Sequence, residues 1–256
     1  MSTPRMGKIN QLMTGWTKGT VQLSASLNKS DYSKNLLNKY VSGGWLDSLG
    51  YGAFKLKGDS VSWEGALYAL QTQKGMAIHA GGKTALQIKG YAHNVGATAY
   101  PVFLFGSVHD HVPKWFREQS WYSNVNLSIT NLFDYSKLKA FSKYNVGNFE
   151  IKISSLELAA MELLYLVPTQ QTFEEAMQLI EGLTTLRPKL VQALLEQCNS
   201  VKVKRLFLYM SEKNNHAWLK SINLSSVNLG SGKRVIIKNG AFNSKYNITV
   251  PKEYEK

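Results

Sequence analysis

The chain has 256 residues, enough for two domains, and 44% of them are hydrophobic, which favours packed cores over disorder. Thirty basic and 17 acidic residues give a net charge of +13, which favours polyanionic partners because each neutralised phosphate releases counterions. Neither a membrane span nor a secretory signal is predicted, and the single cysteine, Cys198, excludes an internal disulfide. We therefore expect a cytoplasmic protein without membrane contact.

The first 57 residues predict three short helices followed by a hairpin. The first helix ends near Gly15, and Thr20 is expected to cap the second. A turn containing Lys29 leads to the third helix, which is capped by either Ser30 or Ser33. The apolar residues at helical spacing in the three segments are Ile9, Leu12, Met13, Trp16, Val21, Leu23, Leu27, Leu36, Leu37, Tyr40 and Val41.

The outer face of the third helix is polar. Asn35, Asn38, Lys39 and Ser42 point away from its apolar side at about 100° per residue, and Lys34 flanks them. Asparagine pairs bidentately with adenine, and lysine donates to guanine or to phosphate. This face is therefore a candidate for reading DNA bases; the alternative is an ordinary solvated surface.

A glycine-rich hairpin follows this helix. Gly43 and Gly44 end the helix, Trp45, Leu46 and Leu49 predict an apolar strand, and Gly50-Tyr51-Gly52 predicts a tight turn. Phe54 and Leu56 are expected to face the core, while Lys55 and Lys57 face outward. The order of elements predicts a winged helix-turn-helix over residues 1–58, in which Tyr51 is either a backbone contact or a simple turn residue.

Residues 59–256 predict one larger mixed α+β domain, with sublobes near 59–150 and 151–256. Strands are expected at Met76–His79, Pro101–Phe105 and at the alternating residues around 127, 151, 235 and 248. Capping boxes at Ser154/Glu157 and Thr172/Glu175, Pro188 in a first turn, and the segment Val201–Lys213 predict four helices. The fold class is therefore α+β.

Several motifs imitate catalytic or metal sites without completing them. Gly82-Lys83-Thr84 lacks the glycine that a phosphate-binding loop requires at position 77, and the turn from Gly230 to Arg234 fails in the same way. His109-Asp110-His111 is a weak metal signal without a third ligand. Cys198 on an apolar helix predicts a buried thiol. We expect no enzyme activity, no cofactor and no metal.

The chain resembles the AbiEi family of bacterial antitoxins along nearly its whole length. The matching stretches are Trp16–Val21, Lys39–Asp59, Gly65–Gln71, Ile78–His93, Val102–Gly106, Pro113–Phe116, Ser154–Pro168, Ser200–Lys213 and Leu229–Pro251. The resemblance implies an N-terminal winged helix-turn-helix that represses its own operon. It also implies a C-terminal domain that neutralises an AbiEii nucleotidyltransferase-like toxin in abortive infection, a phage defence, without a stable complex. One departure is Tyr51, where the family often carries a basic residue.

The sequence thus predicts an antitoxin and autorepressor that binds double-stranded operator DNA, with an inverted repeat expected upstream of its operon. The candidate DNA-binding residues are Lys29, Lys34, Asn35, Asn38, Lys39, Tyr51, Lys55 and Lys57, and the candidate phosphate contacts of the C-terminal part are Lys202, Lys204, Arg205, Lys233, Arg234 and Lys238. One alternative is a module that binds the toxin directly through acidic helices in residues 150–198. An enzymatic role of the C-terminal domain is the other.

Overall fold

A computed structural model describes residues 7–91 and 101–255 of the chain. Residues 1–6 of the predicted first domain lie outside the described residues. The last two residues of the matching stretch Ile78–His93 lie outside them as well. The described chain forms two compact units. The first comprises the described residues up to Ile78 with His109–Val125 and Lys143–Lys152, and the second comprises those within His79–Val108, Asn126–Ser142 and Ile153–Lys256. The α+β class is confirmed.

The first unit begins as a winged helix-turn-helix. Its elements are α1 (Lys8–Gly15), β1 (Gln22–Leu23), α2 (Ser24–Lys29), α3 (Lys34–Ser42), β2 (Leu46–Gly50), β3 (Ala53–Leu56) and α4 (Trp63–Thr72). The three strands form an antiparallel sheet in the order β1-β3-β2. Its core consists of Leu12, Trp16, Leu27, Tyr32, Leu37, Leu46, Phe54 and Leu56. The sequence predicted seven of these eight as apolar contacts of the module; Tyr32 was not among them.

Two local expectations for this unit are corrected. Thr20 does not cap the second helix, because residues 22 and 23 pair with Phe54 and Ala53 as a strand and α2 begins only at Ser24. The Thr20 hydroxyl instead donates to the Thr17 carbonyl at 2.6 Å. Trp45 precedes β2 and is 48% exposed, so it is not part of an apolar strand.

The predicted boundary after residue 58 falls inside the first unit, because α4 packs onto the strands. The Gln73 side-chain amide accepts from the amide of Leu23 and donates to the carbonyl of Val21, each at 2.8 Å. Gly65 lies so close to the Gly19 carbonyl that a Cβ added there would stand 1.8 Å from the oxygen. This helix therefore completes the winged module.

The chain continues through β4 (His79–Ala80), α5 (Gly82–Ile88), β5 (Val102–Ser107), α6 (Lys114–Arg117), β6 (Val125–Thr130), β7 (Phe141–Asn145) and β8 (Glu150–Ser154). These strands form a sheet in the order β6-β5-β4-β8-β7. Next come α7 (Leu156–Leu166), α8 (Phe173–Glu181), α9 (Pro188–Gln197) and α10 (Val201–Lys213). The short strands β9 (Arg234–Val235), β10 (Ala241–Asn243) and β11 (Ile248–Val250) form a last sheet in the order β10-β11-β9.

The helix caps of the second unit agree with the sequence in two of three places. The Thr172 hydroxyl accepts from the amide of Glu175, and Pro188 lies in the first turn of α9. The first box is displaced by one residue, because Ser155, rather than Ser154, caps α7. Within residues 7–91 and 101–255, no helix has the length and apolar character needed to cross a bilayer.

Candidate DNA-binding surface

α3 keeps one face in the core and the opposite face in solvent. The Ser33 hydroxyl caps the helix by accepting from the amide of Leu36, which decides between the two predicted caps. Leu37 is fully buried. The partly buried residues packed against the same core are Leu36, Tyr40 and Val41. Because Leu37 anchors the helix, the residues opposite it are held outward.

The predicted base-reading residues Asn35, Asn38 and Lys39 lie on this outer face, and Lys34 flanks it. Asn35, Asn38 and Ser42 fall within an arc of roughly 60° on the side away from Leu37. The exposed residues of the set are Lys34, Asn35, Asn38 and Lys39, with Lys29 exposed at the end of α2. The structure therefore presents amide and ammonium groups together on a helix whose other side is fixed.

The wing is a hairpin of β2 and β3 closed by three residues at positive φ. Gly50, Tyr51 and Gly52 have φ of 86°, 52° and 75°. A non-glycine residue rarely adopts this conformation, yet Tyr51 does so while 65% exposed. The turn is fixed to α2, because the amide of Ser24 donates to the Gly52 carbonyl at 2.7 Å. The tip is therefore a defined structure that presents an aromatic ring to solvent.

The two wing lysines are less free than the sequence suggested. Asp47 lies directly opposite Lys55 in the hairpin and pairs with Lys57 at 2.9 Å and with Lys55 at 3.5 Å. The hydrogen bond from Lys57 lowers the pKa of the Asp47 carboxyl, which is therefore ionised at neutral pH. Lys55 also donates to the Asp59 carbonyl at 2.6 Å and is only partly exposed. Lys57 remains the more accessible cation of the wing.

The candidate phosphate contacts divide into two groups. Lys204 and Arg205 are 5% and 3% exposed, and burial lowers the pKa of the half-buried Lys202. Lys202 donates to the Tyr165 and Val167 carbonyls at 2.7 and 2.6 Å. The expectation that these three contact phosphate is therefore wrong. The residues that are exposed as expected are Lys233, Arg234 and Lys238.

Two family models together match nearly the whole chain. One, described as the N-terminal domain of the AbiEi antitoxin transcriptional regulator, matches residues 5–97. The other, described as a transcriptional regulator, AbiEi antitoxin, of the type IV toxin–antitoxin system, matches residues 99–251. The chain belongs to the AbiEi antitoxin family. It is thus a transcriptional regulator and antitoxin of a type IV system, as its resemblance implied.

A solved structure shares the fold of this AbiEi antitoxin. The crystal structure of the RV2827C protein from Mycobacterium tuberculosis superposes with a TM-score of 0.59 at 9% identity, covering 94% of this chain and 88% of the other. At this identity the likeness shows the fold alone. Among curated proteins, none matches the chain.

The glycine turn that imitates a phosphate loop is filled by a side chain of the antitoxin itself. Glu162 lies fully buried in α7, where one carboxylate oxygen accepts from the amide of Gly82 at 3.0 Å and from the Ser154 hydroxyl at 2.7 Å. The other oxygen lies 2.8 Å from His79 Nε2. A Cβ added at Gly81 would stand 2.2 Å from the carboxylate. The start of α5 is therefore occupied by a carboxyl group of the chain itself.

The other glycine-rich turn is organised around a buried guanidinium. Arg205 donates to the carbonyls of Leu229, Gly230, Gly232 and Asn247 at 2.6 to 3.2 Å. Because carbonyls rather than amides converge there, the turn is built to hold a cation of the chain itself. Arg205 therefore stabilises the segment that carries the exposed Lys233 and Arg234.

Two glutamates of the acidic helices are paired with basic side chains of the chain itself. Glu157 in α7 is 2% exposed and accepts two hydrogen bonds at 2.9 Å from the Arg187 side chain. Burial acts to raise the pKa of its carboxyl, but hydrogen bonds from Arg187 outweigh burial and bring that pKa to about 2. Lys83 pairs with Glu175. Glu157 and Glu175 are thus paired internally, whereas Glu174, Glu181 and Glu196 remain exposed.

Two further motifs that the sequence singled out are Cys198 and the segment His109-Asp110-His111. Burial raises the pKa of the Cys198 thiol to about 11, which keeps it protonated. Asp110 accepts from the amide of Ala77 at 3.2 Å. In the part of the chain that the structure describes, no three His, Cys, Asp or Glu side chains gather to hold a metal.

Sequence reasoning missed two features of the antitoxin surface. The pairing of Asp47 with the wing lysines becomes evident only once the register of β2 and β3 is known. Lys114 in α6 lies with its ammonium 5.5 Å from the centre of the Tyr51 ring, although 63 positions separate the two in the sequence. Glu162, in contrast, left a signal, since a glutamate within the apolar run of α7 suggests a buried polar partner.

Proposed function

We propose that this antitoxin represses its own operon by binding an operator with α3 in the major groove and the wing on the adjacent backbone. The supporting observation is the exposed amide and ammonium face of α3 opposite the buried Leu37. Asn35 and Asn38 pair with adenines in this arrangement, while Lys34 and Lys39 donate to guanine or to phosphate. An inverted repeat upstream of the operon is the expected site.

The other exposed candidate residues contact the phosphate backbone of the DNA in this proposal. Lys29 is the last residue of α2, Lys57 is exposed just after β3, and Tyr51 stands at the tip of the wing. Lys233, Arg234 and Lys238 add contacts from the second unit that orient the protein without reading sequence.

The test is a mobility-shift titration of the full-length protein on the DNA fragment upstream of its gene. A shuffled fragment of equal length and composition is the control, and a promoter–reporter assay runs in parallel. We expect tighter binding to the native fragment by roughly a thousandfold or more, together with lower reporter expression. Equal affinity for both fragments, or an unchanged reporter, would overturn the proposal.

For the antitoxin role, we propose that the chain opposes an AbiEii-like toxin without a stable complex and without catalysis. The internal pairing of Glu157 and Glu175 supports the first part, since it leaves fewer acidic groups for a basic enzyme. The buried thiol and the occupied glycine turn support the second part. Co-purification of toxin and antitoxin through high salt would instead favour direct binding by the second unit.

A further inference from the structure

We propose that the segment His109–Val125 is part of the DNA-binding surface, where it fixes the wing and adds a phosphate contact through Lys114. This inference rests on the proposed operator binding. The segment lies within the family model of residues 99–251, not within the N-terminal one. In the structure it nevertheless belongs to the same compact unit as the winged helix-turn-helix.

The segment is a rigid support. Trp115 and Phe116 are 2% and 0% exposed and anchor α6 in the unit. The indole of Trp121 donates to the Phe116 carbonyl at 3.0 Å, and the two rings lie 6.3 Å apart. Tyr122 meets Phe116 edge-on at 6.0 Å. Because these aromatic contacts converge on the buried Phe116, the polar side chains beside it have defined positions.

Two of those side chains reach the wing at its tip. Gln119 donates from Nε2 to the Leu49 carbonyl at 3.2 Å, immediately before the turn. Lys114 places Nζ 5.5 Å from the centre of the Tyr51 ring. A cavity of about 290 Å³, lined in part by Leu49, Lys55 and Trp121, lies between the wing and the segment. Since packing is incomplete there, the contacts of Gln119 and Lys114 carry much of the support.

This support matters because the tip is an unusual structure. Tyr51 has a φ of 52°, which costs a non-glycine residue free energy and requires surrounding contacts to persist. On one side the amide of Ser24 holds Gly52, and on the other Gln119 and Lys114 hold Leu49 and Tyr51. The wing is therefore preorganised before DNA arrives, which reduces the ordering cost of binding.

The segment also supplies positive charge beside the wing, whose own lysines are partly neutralised. Asp47 partly neutralises Lys55 and Lys57. Lys114 and Arg117 are exposed, and neither forms an ion pair with any residue that the structure describes. An ammonium held over an exposed aromatic ring keeps its hydrogens available to a phosphate oxygen. Lys114 is thus the cation best placed to contact DNA at the wing tip.

The experiment measures operator affinity against salt concentration for full-length variants. We expect Lys114→Gln to weaken binding about tenfold and to lower the slope of log K against log salt by about one, whereas Lys114→Arg keeps both near wild type. Gln119→Ala should weaken binding several-fold with the slope unchanged, and should speed hydrogen exchange of the amides at residues 50–52. Lys220→Gln, an exposed charge-matched control in the second unit, should change neither property.

The possible results separate this inference from the proposed function. Wild-type protein that shows no preference for its upstream DNA would defeat operator binding itself. Wild-type preference with an unchanged slope in Lys114→Gln would defeat only the phosphate contact. An unchanged affinity and unchanged exchange in Gln119→Ala would defeat the positioning role. Circular dichroism of each variant establishes that the substitutions leave the fold intact.

Discussion

Lys57 and Asp47 form an ion pair across the two strands of the wing, with Nζ 2.9 Å from Oδ1. Asp47 also attracts Lys55, so one carboxylate competes with phosphate for both lysines. In the proposed complex, such a residue would weaken nonspecific attraction to DNA and leave the discrimination between sequences to α3. The wing therefore contains two lysines whose positive charge is partly neutralised by Asp47.

Replacing Asp47 with asparagine should remove the carboxylate that pairs with Lys55 and Lys57. We expect Asp47→Asn to bind operator and shuffled DNA more tightly, to steepen the dependence on salt, and to lower the ratio between the two affinities. Asp31→Asn removes the same charge from an exposed turn of the same unit without releasing a lysine. Equal gains from both variants in a fluorescence anisotropy titration would show that only net charge matters.

The pair of Glu157 and Arg187 should make stability depend on acid pH. Because the folded-state pKa of Glu157 is held at about 2, below its ordinary value, the pair stabilises the fold above pH ~5 and loses this effect as pH falls toward 2. Arg187→Ala should cost about 2–4 kcal/mol at pH 7, since it leaves a buried carboxylate unpaired. The difference between variant and wild type should shrink by pH 3.

Urea denaturation at pH 7 and pH 3 measures both effects. Lys189→Ala removes an exposed cation two positions away and is the matched control. A cost for Arg187→Ala that is no larger than that of the control at pH 7, or that grows as the pH falls, would contradict this account of the buried carboxylate.

The close approach of Gly81 to Glu162 should make this glycine sensitive to a single methyl group. A Cβ there would overlap the carboxylate at 2.2 Å and the Phe105 ring at 2.8 Å. We expect Gly81→Ala to destabilise the protein by about 3 kcal/mol, through overpacking and loss of buried hydrogen bonds. Gly182→Ala, whose added Cβ would meet its neighbour at an ordinary 3.6 Å, should have a small effect. Thermal melts in which the two variants behave alike would refute the close approach.

The sequence was most informative where the residue pattern within a single helix or turn determines its local structure. The two faces of α3 follow from the helical period alone, so the exposure of Asn35 and Asn38 and the burial of Leu37 were predicted correctly. The turn at Tyr51 followed from its flanking glycines. Both depend on residues close in the chain, which is why no tertiary information was needed.

The burial of the basic residues of α10 could not be predicted from the sequence. Residues 203 to 211 of this helix are all buried, so burial is not confined to one face. The helical spacing of apolar residues therefore did not reveal that Lys204 and Arg205 are buried. The carbonyls that bind Arg205 come from residues 229 to 247. Lys114 reaches Tyr51 in the same long-range way. Contacts made by distant loops decide whether a cation is free, and the sequence does not display them.

The central claim, that the outer face of α3 reads bases, is tested most directly by measuring the affinity of Asn35→Ala and Asn38→Ala for the native upstream fragment and for a shuffled one. Gln178→Ala, an exposed helical amide of the second unit, is the control. We predict that each asparagine variant loses roughly 1–3 kcal/mol of binding free energy on the native fragment and almost none on the shuffled one. An unchanged ratio of the two affinities in both asparagine variants would contradict the account.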